Sequence, residues 1–292
     1  KNNTLLINQS ISINKSAIWI GDISTGNKTK LNTNENIDAV YNSIAFDKNG
    51  KEIYAITNVN SEFLYPAKID IKTGKINKLV KGFEWDISNF ELNENQTKAA
   101  FVVNEAGISR LYVQDLATGK ITEINMKNVG VISRPTWKKG KDILAFNFVA
   151  FDATSDVYEW NGQNNTVTRW TESEIGGMSM SGLKAPELIK WNSFDGLSIS
   201  GFLYRANDKF KGKRPVIINI HGGPEGQSLP VFIGRNKKTI GTSCLAGSLV
   251  YVTCHYFSVN EIISVILASI CVILVRELSI KYDWHLPKAG GK

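Results

Sequence analysis

The first 180 residues repeat with a period of about 45, and that period constrains the fold more than any other feature of the chain. The phrases IWIGDISTGNKTKL, AKIDIKTGKINKL, LYVQDLATGKITEI and VYEWNGQNNTVTRW each run from a short apolar strand through an acidic residue and a Thr-Gly or Asn-rich turn into a second alternating strand. That is a hairpin signature. The acidic positions Asp22, Asp70, Asp115 and Glu159 are 48, 45 and 44 residues apart. A second phrase recurs between them, in which Phe46, Leu92 or Trp137 precedes a polar turn and another strand. Four short strands every 40 to 50 residues is the period of a β-propeller blade, which buries both faces against its neighbours. A β-sandwich has no reason to repeat one turn phrase at one period. The expectation is an all-β partial β-propeller of about four blades over residues 1–182, the first lacking its early strands. A partial ring leaves strand edges open, so further residues before Lys1 are expected to complete it.

Trp85, Trp137, Trp160 and Trp170 sit within or beside these strands and read as core packing rather than a stacking platform. The net charge of +7 is scattered among asparagines and acids, with no dense basic stripe, which argues against a nucleic-acid partner. Cys244, Cys254 and Cys271 all fall in the last fifth of the chain, at a spacing that suits neither a zinc site nor a redox pair.

After TESEIGG the pattern changes. PELIKWNSFDGLSISGFLYRA, residues 186–206, reads as two antiparallel strands joined by a Phe-Asp-Gly turn. KGKRPVIINI then leads into a near-continuous apolar run, the pattern of a strand buried on both faces of an α/β sheet, and HGGP ends it. Gly222 and Gly223 are expected to take positive φ and bring backbone N–H groups close to a developing negative oxygen. Residues 183–236 therefore read as the opening strands of an α/β-hydrolase domain, whose loop after the third strand serves an oxyanion hole.

With PELIKWNSFDGLSISGFLYRA, RPVIINIHGGPEGQ and FIGRN in place, this segment resembles the start of the catalytic domain of prolyl oligopeptidase family serine peptidases, close to the acylaminoacyl-peptidase-like branch. The upstream repeat fits the same architecture, in which a propeller covers an α/β-hydrolase domain and limits access to peptides. The resemblance implies a peptide substrate and no cofactor or metal. It places His221 where several relatives carry an oxyanion-binding tyrosine and this branch commonly has His, with Gly222 and Gly223 shaping the same hole.

The family mechanism also needs a Gly-x-Ser-x-Gly elbow downstream, followed by an Asp and a His. No such elbow occurs in these residues. GGMSMSG around Ser179 and GLSIS around Ser198 precede HGGP and lack the second glycine, and Asp283 and His285 have no elbow serine to serve. No catalytic triad is assigned. Residues 237–292 depart from the family pattern and are expected to be an aberrant apolar tail, out of frame or of unrelated origin. Its apolar core from Ile262 to Val275 would make a helix of about 21 Å, short of a hydrocarbon core of about 30 Å. Extension to 256–275 leaves membrane association open, as it leaves cytoplasmic and periplasmic locations open. The reading is a fragment of a serine peptidase, inactive as written. The alternative is a non-catalytic propeller that binds a protein or peptide, tethered by its tail; a lipase or esterase would not carry a propeller in front.

Overall fold

The computed structural model of the protein describes residues 3–31, 33, 38–173, 183–208, 211–213, 216–222, 226–232 and 248–281, the last without the side chains of 276, 277 and 279–281. Two compact units result, Lys1–Phe232 and Ile233–Lys292. Among the described residues the first unit is built from four antiparallel sheets and a separate hairpin.

The first sheet holds β1 (Thr4–Ser12), β2 (Lys15–Asp22) and β3 (Lys28–Lys30). The second holds β4 (Tyr41–Phe46), β5 (Glu52–Thr57), β6 (Tyr65–Asp70) and β7 (Ile76–Lys78). The third runs β8 (Ile87–Leu92), β9 (Lys98–Glu105), β10 (Ile108–Asp115) and β11 (Ile121–Ile124). The fourth runs β12 (Gly130–Trp137), β13 (Ile143–Ala150), β14 (Asp156–Asn161) and β15 (Thr166–Arg169). In each sheet, strand order follows chain order. The strands β4, β8 and β12 neighbour one another, which makes them the inner strands of successive blades.

The two faces of one strand show why these sheets stack. Along β5, Ile53 and Ala55 enter a core shared with Ile18, Tyr41 and Ile69, whereas Tyr54 and Ile56 enter a second core with Phe90, Phe101 and Val103. Along β9, Ala99, Phe101 and Val103 face that second core, and Ala100 and Val102 face a third, with Trp137, Leu144 and Phe146. Alternation within each strand thus delivers its residues to two neighbouring blades, and the run becomes apolar throughout. Polar bonds fix the stacking: Trp137 Nε1 donates to the Glu91 carbonyl at 3.1 Å, and Gln96 Nε2 to that of Phe46 at 3.0 Å.

The repeated acidic residue builds a turn. In Asp70 and Asp115, Oδ1 accepts the N–H groups two and three residues on and the hydroxyl of Thr73 or Thr118, at 2.7 to 3.1 Å. Asp22 binds Ser24 and Thr25 in the same way. Gly26, Gly74 and Gly119 follow at φ of 74°, 69° and 74°, each returning its N–H to the Asp carbonyl, so the Thr-Gly step is the turn itself. The fourth turn corrects the sequence reading: Asn161, not Glu159, accepts the N–H two residues on at 2.9 Å. Glu159 pairs instead with Thr168 and Ala145 inside the sheet.

Two of the four tryptophans behave as core. Trp137 and Trp160 are buried and meet edge to face at 6.3 Å, while Trp85 and Trp170 are 39% and 65% exposed. The second unit contains helical residues 248–256, here α1, and α2 (Glu261–Lys281). α1 ends in a Schellman arrangement, with Val259 N–H on the Cys254 carbonyl, Ser258 N–H on that of His255 and Ser258 at φ 55°. α2 leaves Ile262, Ile266, Ile270 and Leu274 exposed along one face, while Ser264 is buried and Ala268, Cys271, Val272 and Val275 are half-buried along another. Among the described residues no helix is long and apolar enough to cross a membrane.

Candidate functional site

The described residues between 183 and 232 approach the propeller from one end of its sheets. The separate hairpin pairs β16 (Glu187–Asn192) with β17 (Ser198–Leu203) in antiparallel register. Its turn follows the expected Phe-Asp-Gly signal: Asp195 Oδ1 accepts the Leu197 N–H at 3.1 Å and Gly196 lies at φ 84°. A two-point pair of Arg205 on Glu187, at 2.7 and 3.0 Å, ties the far end and holds the Glu187 carboxyl below the usual range. The hairpin itself is the pair of antiparallel strands anticipated from the sequence.

The third strand is not formed. Residues 216–222 make no ladder, and Val216, Ile217, Ile218 and Ile220 are each more than 80% exposed. A strand buried on both faces needs neighbours on both edges. Among the described residues the only nearby strands, β16 and β17, pair with each other.

His221 and Gly222 are exposed at the end of this run, and Gly223 lies outside the described residues. Gly226 lies close to His221 and Gly222: a Cβ at Gly226 would run into the Gly222 carbonyl and stand 3.0 Å from His221 Nδ1. Gly222 does not have the positive φ expected of it, and a Cβ there would meet nothing within 4 Å. Ser179, Cys244, Asp283 and His285 all lie outside the described residues, and Ser198 begins β17 with its side chain exposed.

Beyond the loop the chain is fastened to the propeller at two points that the sequence did not announce. At the β9–β10 turn, Asn104 Nδ2 donates to Gln227 Oε1 at 2.8 Å. Gly107, at φ 92°, lies so close to Ser228 that a Cβ would stand 2.8 Å from its carbonyl oxygen and 3.1 Å from the Phe202 ring. Farther on, the Phe232 N–H reaches the Ala150 carbonyl at the end of β13, at 2.6 Å, and Pro230 is buried between these points. The ends of β9 and β13 occupy the same position in successive sheets, so the segment after His-Gly-Gly crosses one end of blades three and four.

Charged groups around this crossing are paired. Arg110 binds Glu105 at 2.7 Å and Glu123 at 3.0 Å, beside the turn that holds Gln227 and Ser228. Burial and the Glu105 carboxylate push the Tyr112 phenol up to about 12, so it stays protonated beside Glu105. A cavity of about 260 Å³ opens near Ala150, lined by Asn128, Asp152, Tyr158, Arg169 and Ser173. Arg169 leans on Asp156 at 2.6 Å. Burial alone would raise the Asp156 carboxyl, but the Ser173 N–H, Thr171 hydroxyl and Arg169 hold it below its ordinary value. Among the described residues no group of three His, Cys, Asp or Glu side chains could hold a metal.

No family model matches the sequence, and no curated protein is similar to it. Solved structures do match. A prolyl endopeptidase aligns over 70% of this chain and 30% of its own length, with a TM-score of 0.60 and 13% identity. Prolyl oligopeptidase B from Galerina marginata, bound to a 35mer hydrolysis and macrocyclization substrate, aligns over 72% of this chain and 30% of its own, with a TM-score of 0.60 and 14% identity. Puromycin hydrolase aligns over 74% of this chain and 34% of its own, with a TM-score of 0.61 and 13% identity. The fold is that of the prolyl oligopeptidase propeller. The chain spans about a third of the length of those proteins.

Proposed function

We propose that the chain carries part of the propeller and the oxyanion-loop segment of a prolyl oligopeptidase-type serine peptidase, and that these 292 residues alone do not hydrolyse peptides. In this reading residues 1–182 are propeller, 183–236 belong to the peptidase domain, and 237–292 belong to neither. The observation that carries it is the attachment of residues 227–232, immediately after His221-Gly222-Gly223, to the blade ends of a propeller similar to those of prolyl peptidases. A propeller on its own gives no reason for a His-Gly-Gly-Pro loop at that end.

His221 and the backbone of Gly222 and Gly223 would then bind the oxyanion of an acyl-transfer intermediate formed on a peptide. The nucleophile is what is missing. Without an elbow serine there is no acyl-enzyme, and the oxyanion loop has nothing to stabilise.

Labelling with a fluorophosphonate tests the reading, because only an activated serine reacts. The expected result is an unmodified chain; a labelled serine anywhere in it overturns the assignment of inactivity. Sequencing the encoding DNA from codon 230 onward and translating three frames tests the family: a Gly-x-Ser-x-Gly elbow in another frame supports it. Absence of that elbow from every frame favours a propeller that binds peptides without cutting them.

A further inference from the structure

In an antiparallel sheet whose strand order follows the chain, the first and third turns fall at one end and the second at the other. In the second, third and fourth sheets, the end with the first and third turns lies away from Asn104 and Ala150, where residues 227–232 are fastened. Its turns, 47–51, 70–75, 93–98, 115–120, 138–142 and 161–166, hold nine lysines and five acids. The loops at the other end, 58–64, 79–86, 106–107, 125–129, 151–155 and 170–173, hold two lysines and five acids. Lysines that the sequence scatters are gathered by the fold onto one face.

That face is continuous. Within each sheet the third turn is bonded to the first: Ile71 N–H donates to the Lys51 carbonyl at 3.0 Å, Leu116 N–H to that of Thr97 at 2.8 Å and Gly162 N–H to that of Asp142 at 2.8 Å. Between sheets, Lys48 N–H donates to Gln96 Oε1 at 2.8 Å, and Lys98 binds Asp142 at 2.5 Å. This framework occupies every acid of these turns except Glu94. Asp47 accepts the N–H groups of Lys51 and Glu52, Asp70 and Asp115 close their own turns, and Asp142 holds Lys98. The lysines are left over. Apart from Lys98, those of these turns make no ion pair among the described residues, and Lys48, Lys51, Lys72, Lys75, Lys120 and Lys139 are all exposed.

We propose that this end of the propeller docks on an anionic lipid surface. The chemistry of the face selects among polyanions. Its cations are all lysines, which act as point charges, and these turns contain no arginine to grip a phosphate at two points. They also carry no aromatic side chain on which a base could stack. What they present is diffuse positive charge at the tips of adjoining turns, which anionic headgroups free to move in a plane can match. The same field turns the acidic end, where residues 227–232 are fastened, away from the lipid.

The test is sedimentation of the full chain with sucrose-loaded vesicles of phosphatidylglycerol and phosphatidylcholine in equal parts, compared with vesicles of phosphatidylcholine alone. Partition into the mixed vesicles should exceed that into the neutral ones at least tenfold at about 0.1 M salt. The excess should vanish at about 1 M, where the screening length has fallen from about 10 Å to about 3 Å. Lys48→Gln with Lys139→Gln, on two blades of the face, should weaken partition into the mixed vesicles at least tenfold. Lys81→Gln with Lys127→Gln, at the other end, removes the same charge and should stay within twofold of the parent. All four side chains are exposed, so both double variants should melt with the parent. The helical unit does not imitate this result, since its exposed Ile262 and Leu274 would enter neutral and mixed vesicles alike. The proposal is overturned by equal partition into the two kinds of vesicle or by equal effects of the two double variants. It is overturned equally if a short DNA duplex half-saturates the chain at a lower phosphate concentration than the mixed vesicles require.

Discussion

Residues 99–103 read Ala-Ala-Phe-Val-Val and residues 216–220 read Val-Ile-Ile-Asn-Ile. The first five are all at 0% exposure inside β9, whereas Val216, Ile217, Ile218 and Ile220 of the second run are 81 to 85% exposed and form no strand. Composition does not separate them; the second run is the more β-branched and has, if anything, the higher strand propensity. What separates them is neighbours. β9 has β8 and β10 on its edges and an adjacent blade on each face, all supplied by the repeat. Residues 216–220 have no ladder partner among the described residues. An apolar run records the surroundings it is built for, and it becomes a strand only where those surroundings exist. Each exposed isoleucine forgoes about 1.5 to 3 kcal/mol of burial, which is why such a run is legible as a sheet strand and is a liability without its sheet.

The largest effect that could break this comparison is the truncation of a central side chain on each side. Phe101 is fully buried, stacked on Tyr112 at 5.4 Å and edge-on to Phe83 at 5.6 Å. Phe101→Ala should cost about 3 to 5 kcal/mol, read by urea denaturation, because the cavity lies where two blades meet. Ile218→Ala should stay within about 0.5 kcal/mol of the parent. Amide exchange should agree, with slow N–H groups over 99–103 and fast ones over 216–220. A loss of 2 kcal/mol or more for Ile218→Ala would mean that the run is packed after all.

The propeller was legible in the sequence and the segment around His-Gly-Gly only in part, and the reason is the range of the interactions. An Asx turn closes within four residues, so D-x-x-T-G predicts itself, and a blade repeated at one period predicts its own neighbours. The failures are where the deciding partner is distant or absent. Asn161 takes the place of the expected acid because an amide oxygen accepts the same i to i+2 bond without a charge. Trp170 is exposed because no described strand covers it. The contacts that fasten the segment after His-Gly-Gly, Asn104 to Gln227 and Phe232 to Ala150, join residues far apart in sequence and carry no local signal. Gly107 is the exception with a local signal: it sits in a two-residue turn, Ala106-Gly107, between the strands β9 and β10.

Gly107 and Gly119 sharpen the comparison at smaller scale, since both have positive φ and only one is crowded. Gly107→Ala would place a methyl group 2.8 Å from the Ser228 carbonyl and against Phe202, whereas Gly119→Ala meets nothing within 4 Å. Both should lose about 1 kcal/mol from the left-handed backbone alone. Gly107→Ala should lose about 1 to 2 kcal/mol more, or release residues 227–232, which limited proteolysis would detect as new cleavage after the His-Gly-Gly loop. Equal losses in the two variants would mean that the segment contributes nothing by resting on the blade.

The smallest effect concerns pH, and it isolates the local turns from everything that depends on neighbours. The Thr73 and Thr118 N–H and hydroxyl groups hold the carboxyls of Asp70 and Asp115 below their ordinary range, and the Ser24 hydroxyl and nearby N–H groups do the same for Asp22. A carboxyl with a lowered folded pKa contributes stability that is fully present above its unfolded pKa and is lost as pH falls through the folded one. The propeller should therefore weaken on acidification below the ordinary carboxylate range, with these three turns contributing part of the loss. Asn161 is a natural control, because the fourth turn keeps the same i to i+2 bond with a side chain that does not titrate. Replacing Asp22, Asp70 and Asp115 together by Asn should leave the strands paired as in the parent and lower the melting temperature slightly at neutral pH. It should also flatten the fall between neutral pH and pH 2, followed by circular dichroism. If the triple variant falls as steeply as the parent, the acid sensitivity resides in an ion pair between strands, that of Arg169 with Asp156, and the turns hold their shape whether charged or not.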